Sequence, residues 1–201
     1  MRAVVKRFAD AVFAAVPPRG PVYEFGSMEV NDPANPEVGN FRGIVERLGL
    51  AYVGCDMRAG PGVDCIQDLH ALDLPDASVG TAILADTIEH VEYPRRAIDG
   101  LQRVLRSDGM LLVTTVMNFP IHAYPEDYWR FTPKGLQSVL KPFAGVFVSC
   151  CGNPLLPRTV VGVAFNSPPP AAQRLERQIA RWQQQENRRA ERIAQRTQDG
   201  A

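Results

Sequence analysis

The sequence predicts an α/β fold whose core is a mostly parallel β-sheet. Short apolar runs of strand length alternate with segments in which apolar residues recur at helical spacing. The strand-like runs are Val22–Phe25, Ala51–Cys55, Gly80–Ala85 and Met110–Val116. Continuous apolar runs are typical of parallel strands that helices cover on both faces. The alternation therefore favours βαβ units, with helices on both sides of one sheet.

The composition is that of one globular domain without net charge. The 22 Lys and Arg residues balance 22 Asp and Glu residues, which argues against a nucleic-acid or anionic-membrane partner. No run approaches the roughly 18 apolar residues that a membrane span needs. The first 16 residues carry charges among helix-spaced apolar positions and do not resemble a signal peptide. The cysteines lack metal-type spacing, and we interpret them as buried thiols of a cytoplasmic protein.

Apolar spacing, proline and glycine place the remaining elements. We expect an N-terminal helix over residues 1–16, a long loop over 28–40, and helical segments over 41–48, from 86 to 91 and over 133–140. A further helix begins at Pro94, with Gly109 suited to its left-handed cap. Thr132 is suited to the N-cap of the helix that begins at Pro133. A short strand near 63–66 and two closing strands, 146–151 and 160–165, complete the sheet.

The C-terminal segment differs in composition from the rest. Pro168–Pro170 marks a boundary, so we divide the chain into a domain over residues 1–167, with its core at 20–166, and a helical extension over 168–201. The extension is rich in Arg and Gln, which is typical of a solvated helix. It carries a thin apolar stripe: Leu175, Ile179, Trp182 and Ile193. That stripe could instead bind a second subunit, giving a homodimer through the N- or C-terminal helices.

Five short motifs follow one another across the predicted sheet. They are Glu24–Ser27, Cys55–Met57, Asp68-Leu69, Asp86–Val91 and Arg103–Gly109. The set resembles class I S-adenosylmethionine (SAM)-dependent methyltransferases of the small-molecule branch, over residues 20–166. The resemblance implies a Rossmann-like, doubly wound, seven-stranded sheet with an antiparallel closing strand. It also implies SAM as cofactor and S-adenosylhomocysteine (SAH) as product.

The resemblance assigns five residues to the methionine end of the cofactor. Glu24 would neighbour the amino group. Gly26 and Ser27 would form the turn after the first strand, where glycine lets the backbone approach a ligand. Ala85 and Asp86, at the end of the fourth strand, would line the methyl end.

Four further residues are assigned to the adenosine end. Asp56 would hold the ribose hydroxyls, as acids that close a strand do in nucleotide-binding sheets. Met57 would pack on the adenine, Asp68 would accept from the adenine amino group, and the Leu69 amide would donate to the ring. Both acids have a structural alternative, Asp56 as the cap of a turn and Asp68 as the acceptor of an Asx turn. A nicotinamide cofactor is not favoured, because Gly-x-Gly-x-x-Gly is missing after the first strand.

The segment after the fifth predicted strand carries the candidate catalytic residues. Asn118–Thr132 resembles a His-x-x-Pro-x-Asp-Tyr-Trp-Arg-Phe-Thr segment of one methyltransferase branch. A hydroxyl acceptor must lose a proton, and imidazole is suited to accept it near neutral pH. We therefore predict His122 as the base, with Asp127 or Tyr124 orienting it or the substrate. In the structural alternative, Asp127 pairs with Arg130 and the aromatic residues fill the sheet edge: Tyr128, Trp129 and Phe131.

These observations support a leading hypothesis and one alternative. The leading hypothesis is methyl transfer from SAM to a small-molecule acceptor, with O-methylation of a sugar or another secondary metabolite as the first choice. Methyl transfer depends on alignment of donor and nucleophile, and the spacing shows no His and carboxylate ligand cluster, so we predict a metal-independent enzyme. The family's Gly-x-Gly-x-Gly loop is here Gly26 followed by Ser27–Val30. This departure supports the alternative, a catalytically inactive methyltransferase-like scaffold.

Overall fold

The computed structural model describes residues 2–29, 39–122, 125–169 and 171–199, and a seven-stranded sheet is its centre. The strands are β1 Val22–Phe25, β2 Tyr52–Asp56, β3 Cys65–Ile66, β4 Val79–Ala85, β5 Leu105–Val116, β6 Gly145–Asn153 and β7 Leu156–Phe165. Their order across the sheet is β3-β2-β1-β4-β5-β7-β6. The long loop predicted over 28–40 falls mostly outside the described residues.

The strand directions confirm the predicted sheet. Each neighbouring pair among β1 to β5 is parallel, and β7 runs antiparallel to both β5 and β6. Because β1 to β5 run the same way, their carboxyl ends meet at one edge of the sheet. Ligands of open α/β sheets bind at this edge.

Five helices cover the two faces of the sheet in the described residues. They are α1 Ala3–Ala15, α2 Arg42–Arg47, α3 Pro94–Val104, α4 Pro133–Val139 and α5 Ala172–Asp199. Neighbouring residues of β4 point to opposite faces. Leu84 joins the apolar cluster with α3 and α4, and Ile83 joins the cluster with α1, α2 and α5. The doubly wound arrangement is therefore confirmed, as is Thr132 as the N-cap of α4, where it accepts from the Gly135 amide.

The C-terminal helix packs on its own chain, in contrast to the predicted solvated extension. The first residues of its apolar stripe are buried: Leu175, Ile179 and Trp182. The Trp182 ring meets that of Phe8 in α1 edge-on, with centroids 5.1 Å apart, and Arg7 of α1 pairs with buried Glu186 at 2.7 Å. This part of the stripe cannot serve a second subunit, because α1 and the sheet already cover it. Ile193, farther along α5, is exposed.

Two local predictions between β4 and β5 are wrong. The helical stretch expected from residue 86 to 91 is a single 3-10 turn, Ile88–His90. Gly109 does not cap α3, because the helix ends at Val104 and Gly109 lies inside β5 without a left-handed φ. A Cβ on Gly109 would lie 2.8 Å from the Arg106 carbonyl oxygen, so close packing explains the glycine.

Cys55 and Cys151 are buried as predicted, whereas Cys65 and Cys150 are half-buried, and all four thiols are free. Within the described part of the chain, no helix is long and apolar enough to cross a membrane.

Candidate active site

A cavity of about 570 Å³ opens at the carboxyl edge of the sheet. This volume lies in the range of small-molecule sites, roughly 300–1,000 Å³. All the residues predicted to bind the cofactor line it: Glu24, Gly26, Ser27, Asp56, Met57, Asp68, Leu69, Ala85 and Asp86. His122 lines the same cavity, and Asp127 lies behind it. The fold thus brings the predicted site residues to one place, while their individual roles stay predictions.

Glu24 of β1 is a buried carboxyl group at the end of the cavity next to α2. Its Oε2 atom accepts hydrogen bonds from the Phe41 amide at 2.6 Å and from the Tyr52 hydroxyl at 2.7 Å. Burial raises the pKa of Glu24 to about 7, although both hydrogen bonds favour the carboxylate. A cationic amino group next to this side chain would stabilise its charged form.

Backbone packing explains the glycine pattern of the first loop. Gly26 has φ +81°, and a Cβ there would lie 2.3 Å from the Thr87 hydroxyl oxygen. On the neighbouring strand, a Cβ on Gly54 would lie 2.7 Å from Ser27 Oγ and 2.3 Å from the Gly62 carbonyl oxygen. Ser27 is therefore accommodated after Gly26 because position 54 has no side chain. Gly26, Ser27 and Met28 line the cavity.

Asp86 follows β4 and is fixed by an ion pair that the sequence did not predict. The Arg2 guanidinium donates to both carboxylate oxygens, at 2.6 and 2.7 Å, and also to the Thr159 hydroxyl. Thr114 donates to Asp86 at 2.9 Å. Burial would raise the pKa of Asp86, but Arg2 and Thr114 outweigh it and hold the pKa below its ordinary value. Asp86 has φ 52°, a strained conformation that is common at functional sites.

The side chains predicted to bind adenosine lie around the β2 and β3 ends of the cavity. Asp56 Oδ1 accepts from a backbone amide two residues on, at 3.1 Å, and Asp68 Oδ1 accepts from the amide and ring of His70 at 2.8 and 2.9 Å. The turn contacts given above as structural alternatives for Asp56 and Asp68 are therefore both present. A carboxylate can accept several further hydrogen bonds, so these contacts are compatible with a cofactor role. Met57 is 56% exposed at the rim, and Leu69 is buried.

His122 lies at the other end of the cavity and is held by its neighbours. Its ring packs edge-on against those of His90 and Phe119, with centroids 4.8 and 5.0 Å away. Its amide donates to Asp127 Oδ2 at 2.7 Å, and its ring Nδ1 lies 3.3 Å from the same oxygen. Arg130 donates to both oxygens of Asp127, at 2.5 and 2.7 Å, and this pairing holds the pKa of Asp127 well below its usual range. Asp127 is a fixed anion that can orient His122.

The aromatic residues after Asp127 fill the sheet edge in part. Phe131 is buried, but Tyr128 is 45% and Trp129 is 43% exposed, so the predicted aromatic plug is wrong for these two. Tyr128 lines the cavity. Tyr124, predicted to orient His122 or the substrate, lies outside the described residues.

Glu89 is a buried acid next to the histidines that the sequence did not identify as part of the site. It is 0% exposed, and its Oε2 accepts from the Thr115 hydroxyl at 2.7 Å. Its Oε1 has no hydrogen-bond partner among the described residues. One potential metal ligand atom from each of Glu89, His90 and His122 lies within 4.8 Å of the others. The prediction of no metal ligands was based on sequence spacing. Spacing does not reveal this cluster, because the fold unites residues from two strand ends.

The donor set at the sheet edge fits SAM. Asp56 and Asp68 offer acceptors for hydroxyl and amino groups, and Glu24 offers a carboxylate for an ammonium group. Asn40 adds a buried amide nitrogen that lines the cavity and has no partner among the described residues. Such an unpaired buried donor is rare in proteins, and it suits an anionic ligand group.

Comparison with known sequences agrees with this geometry. A family profile described as "Methyltransferase domain" matches residues 39–113, which run from the Asn40 loop to the middle of β5. The family match over this part of the chain and the strand order both support a class I SAM-dependent methyltransferase. The same match supports SAM as the cofactor. No curated protein sequence matches the chain.

Solved structures share the fold of this chain at low identity. The PH0226 protein of Pyrococcus horikoshii OT3 is 15% identical, with a TM-score of 0.60, 80% of this chain covered and 88% of that chain. The Burkholderia thailandensis 1,6-didemethyltoxoflavin-N1-methyltransferase with bound SAH is 16% identical, with a TM-score of 0.59 and coverages of 82% and 79%. The CMeT domain of the citrinin polyketide synthase is 14% identical, with a TM-score of 0.57 and coverages of 74% and 46%. The chain thus spans under half the length of that last structure.

Proposed function

We propose that this protein is a SAM-dependent methyltransferase that transfers the methyl group of SAM to a hydroxyl group of a small molecule, a sugar or another secondary metabolite. The observation that carries the proposal is the single cavity that joins the cofactor-type residues to His122. Its acceptor end offers an imidazole and aromatic side chains, which suit a compact hydroxylated ligand.

In this proposal, residues predicted from the sequence, together with Asn40 from the structure, hold the two halves of the cofactor at two ends of the cavity. Glu24, Asn40 and the turn after β1 would hold the methionine end, and Asp56 and Asp68 would hold the adenosine end. Bound SAM supplies an electrophilic methyl group. The protein's contribution is to position the acceptor and to exclude water, because close alignment provides most of the rate in such a displacement.

His122 is the residue that we propose to take the acceptor proton. Asp127 accepts from its amide and lies next to Nδ1, and Arg130 keeps Asp127 charged and in place. A general base in this position contributes about 10²–10⁴ in rate. Asp127 and Arg130 are positioning residues, since they act through His122.

The first test is calorimetric titration with SAH of the wild-type protein and of Asp56→Ala. We expect saturable binding to the wild type and none to the variant, with Asp99→Ala, exposed on α3, as a control that binds normally. Absence of binding to the wild-type protein would overturn the cofactor assignment.

The second test is turnover of hydroxylated acceptors with His122→Ala. We expect unchanged SAH affinity and a rate lowered by about 10²–10⁴. Transfer to amines or carbon acids, with no transfer to hydroxyl groups, would contradict O-methylation.

We also propose a cytoplasmic location, which the four free thiols support. In this proposal the acceptor is the partner that matters, and neither nucleic acid nor a membrane has a part. A homodimer would have to use surfaces of α1 and α5 other than the apolar faces that they bury against each other and the sheet.

A further inference from the structure

We propose that Glu89, His90 and His122 form a binding site for a divalent transition-metal ion at the acceptor end of the cavity. One ligand atom from each residue lies within 4.8 Å of the other two. Two imidazoles and one carboxylate are a ligand set for Zn²⁺ or Fe²⁺, with coordination positions left for water or substrate. The binding of the ion does not depend on the proposed function; its effect on a hydroxyl acceptor does.

The unpaired carboxylate oxygen of Glu89 is the first independent observation. Glu89 is fully buried, Thr115 satisfies Oε2, and Oε1 has no partner among the described residues. An unpaired buried carboxylate oxygen is destabilising, and native proteins pair such groups with a donor or coordinate them to a metal. A cation next to His90 and His122 would satisfy Oε1.

The hydrogen bonds of the two imidazoles are the second observation. His90 Nδ1 lies 2.5 Å from the Glu126 carbonyl oxygen. His122 Nδ1 lies 3.2 Å from the Pro120 carbonyl oxygen and 3.3 Å from Asp127 Oδ2. These oxygens can only accept, so in each neutral ring Nδ1 carries the proton and Nε2 carries the lone pair. Histidines that bind metals are oriented by the same type of contact to a carbonyl or carboxylate.

The metal requires a small contraction of the cluster. Ligand atoms about 2.1 Å from an ion stand ~3.0–3.4 Å apart, so one side chain must move by on the order of 1 Å. His122 can make this movement, because it lies on a loop after β5 and its side chain is 23% exposed. Glu89 and His90 are held on the 3-10 turn after β4.

A bound ion would change the role of His122. An acceptor hydroxyl coordinated to the ion loses its proton to water more readily, because the ion stabilises the alkoxide. His122 would then hold the ion, and the coordinated oxygen would need no side-chain base. In protein without metal, His122 would keep the proton-accepting role proposed above.

The test is titration of chelator-treated full-length protein with Co²⁺, followed by its visible absorption, and with Zn²⁺ by calorimetry. We expect one ion per chain and visible bands typical of nitrogen ligation. Affinity should fall on the order of 100-fold or more in Glu89→Gln and in His122→Ala, and about 10-fold in Asp127→Asn. His70→Ala is the matched control, because His70 is the histidine outside the cluster, and it should bind as the wild type does.

Several outcomes would overturn the proposal. These are no stoichiometric binding by the wild type, equal affinity in Glu89→Gln, or a loss of binding in His70→Ala as large as that in His122→Ala. His122→Ala changes a partly exposed side chain and so keeps the test informative even if Glu89→Gln fails to fold. SAH titration in the presence of chelator separates this proposal from the proposed function, since cofactor binding should persist there. If the wild type keeps full turnover in chelator and His122→Ala abolishes that turnover, His122 acts as a base without the ion.

Discussion

At the scale of single residues, the buried carboxyl group of Glu24 makes the stability of the protein depend on pH. Burial raises the pKa of Glu24 from an ordinary value of 4.5 to about 7. Between these values the folded chain keeps a proton that the unfolded chain has lost. The free energy of unfolding therefore falls as pH rises through this window, and the contribution is constant above it.

We predict that Glu24→Gln removes this dependence. Relative to the variant, the wild type should lose roughly 3 kcal/mol of unfolding free energy between pH 4.5 and 7, from 1.36 kcal/mol per pKa unit. Urea unfolding of both proteins at a series of pH values measures the difference, in which the contributions of other titrating groups cancel. Parallel curves for the two proteins would mean that Glu24 is ionised in the folded state throughout.

Which site residues the sequence could predict depends on where they lie. Asp56 and Asp68 end or follow strands, and strand ends meet at one edge in any parallel sheet, so their place in the cavity follows from the pattern. Arg2 carries no such signal, because its contact with Asp86 joins positions 84 apart. The sequence did not identify Glu89 for a similar reason: local spacing does not reveal that the fold places His122 beside it.

At the scale of elements, the packing of α5 on α1 makes the C-terminal helix a part of the fold. Trp182 is 3% exposed and its indole nitrogen lies 3.4 Å from the Val4 carbonyl oxygen. We predict that Trp182→Ala destabilises the protein by about 3–5 kcal/mol, the usual cost of a large aromatic cavity. Thermal or urea unfolding gives the value.

Ile193→Ala is the matched control on the same helix. Ile193 is 66% exposed, so its substitution should change stability by less than about 0.5 kcal/mol. Equal effects of the two substitutions would mean that α5 does not pack as described.

The sequence predicted the existence of α5 but not its docking. A polar helix with three or four apolar positions is equally suited to solvent, a partner or its own domain, because its pattern records one apolar face and not what covers that face. The covering of the central strands was easier to predict, because a strand that is apolar on both faces must be covered by other elements on both faces. Gly109 failed as a helix cap for a related reason: steric crowding and left-handed φ both select glycine.

At the scale of the whole molecule, the strand order β3-β2-β1-β4-β5-β7-β6 places the predicted cofactor residues and the histidines at different strand ends along one cavity. The ends of β1, β2 and β3 carry the acids expected to hold the cofactor. The 3-10 turn after β4 and the loop after β5 carry His90 and His122. Methyl donor and acceptor would thus meet at the end of β4, where the order of connections reverses and where open α/β sheets bind ligands.

This separation predicts how ligand binding stabilises the fold. SAH at about 100 times its dissociation constant should add about 2.7 kcal/mol to the free energy of unfolding. For a chain of this length the melting temperature should rise by roughly 5–10 °C. Differential scanning calorimetry should show the same rise in His122→Ala, because His122 lies on the loop after β5 and not among the acids expected to hold the cofactor. It should show no rise in Asp56→Ala. Loss of the rise in both variants would mean that the two ends of the cavity form one cooperative unit.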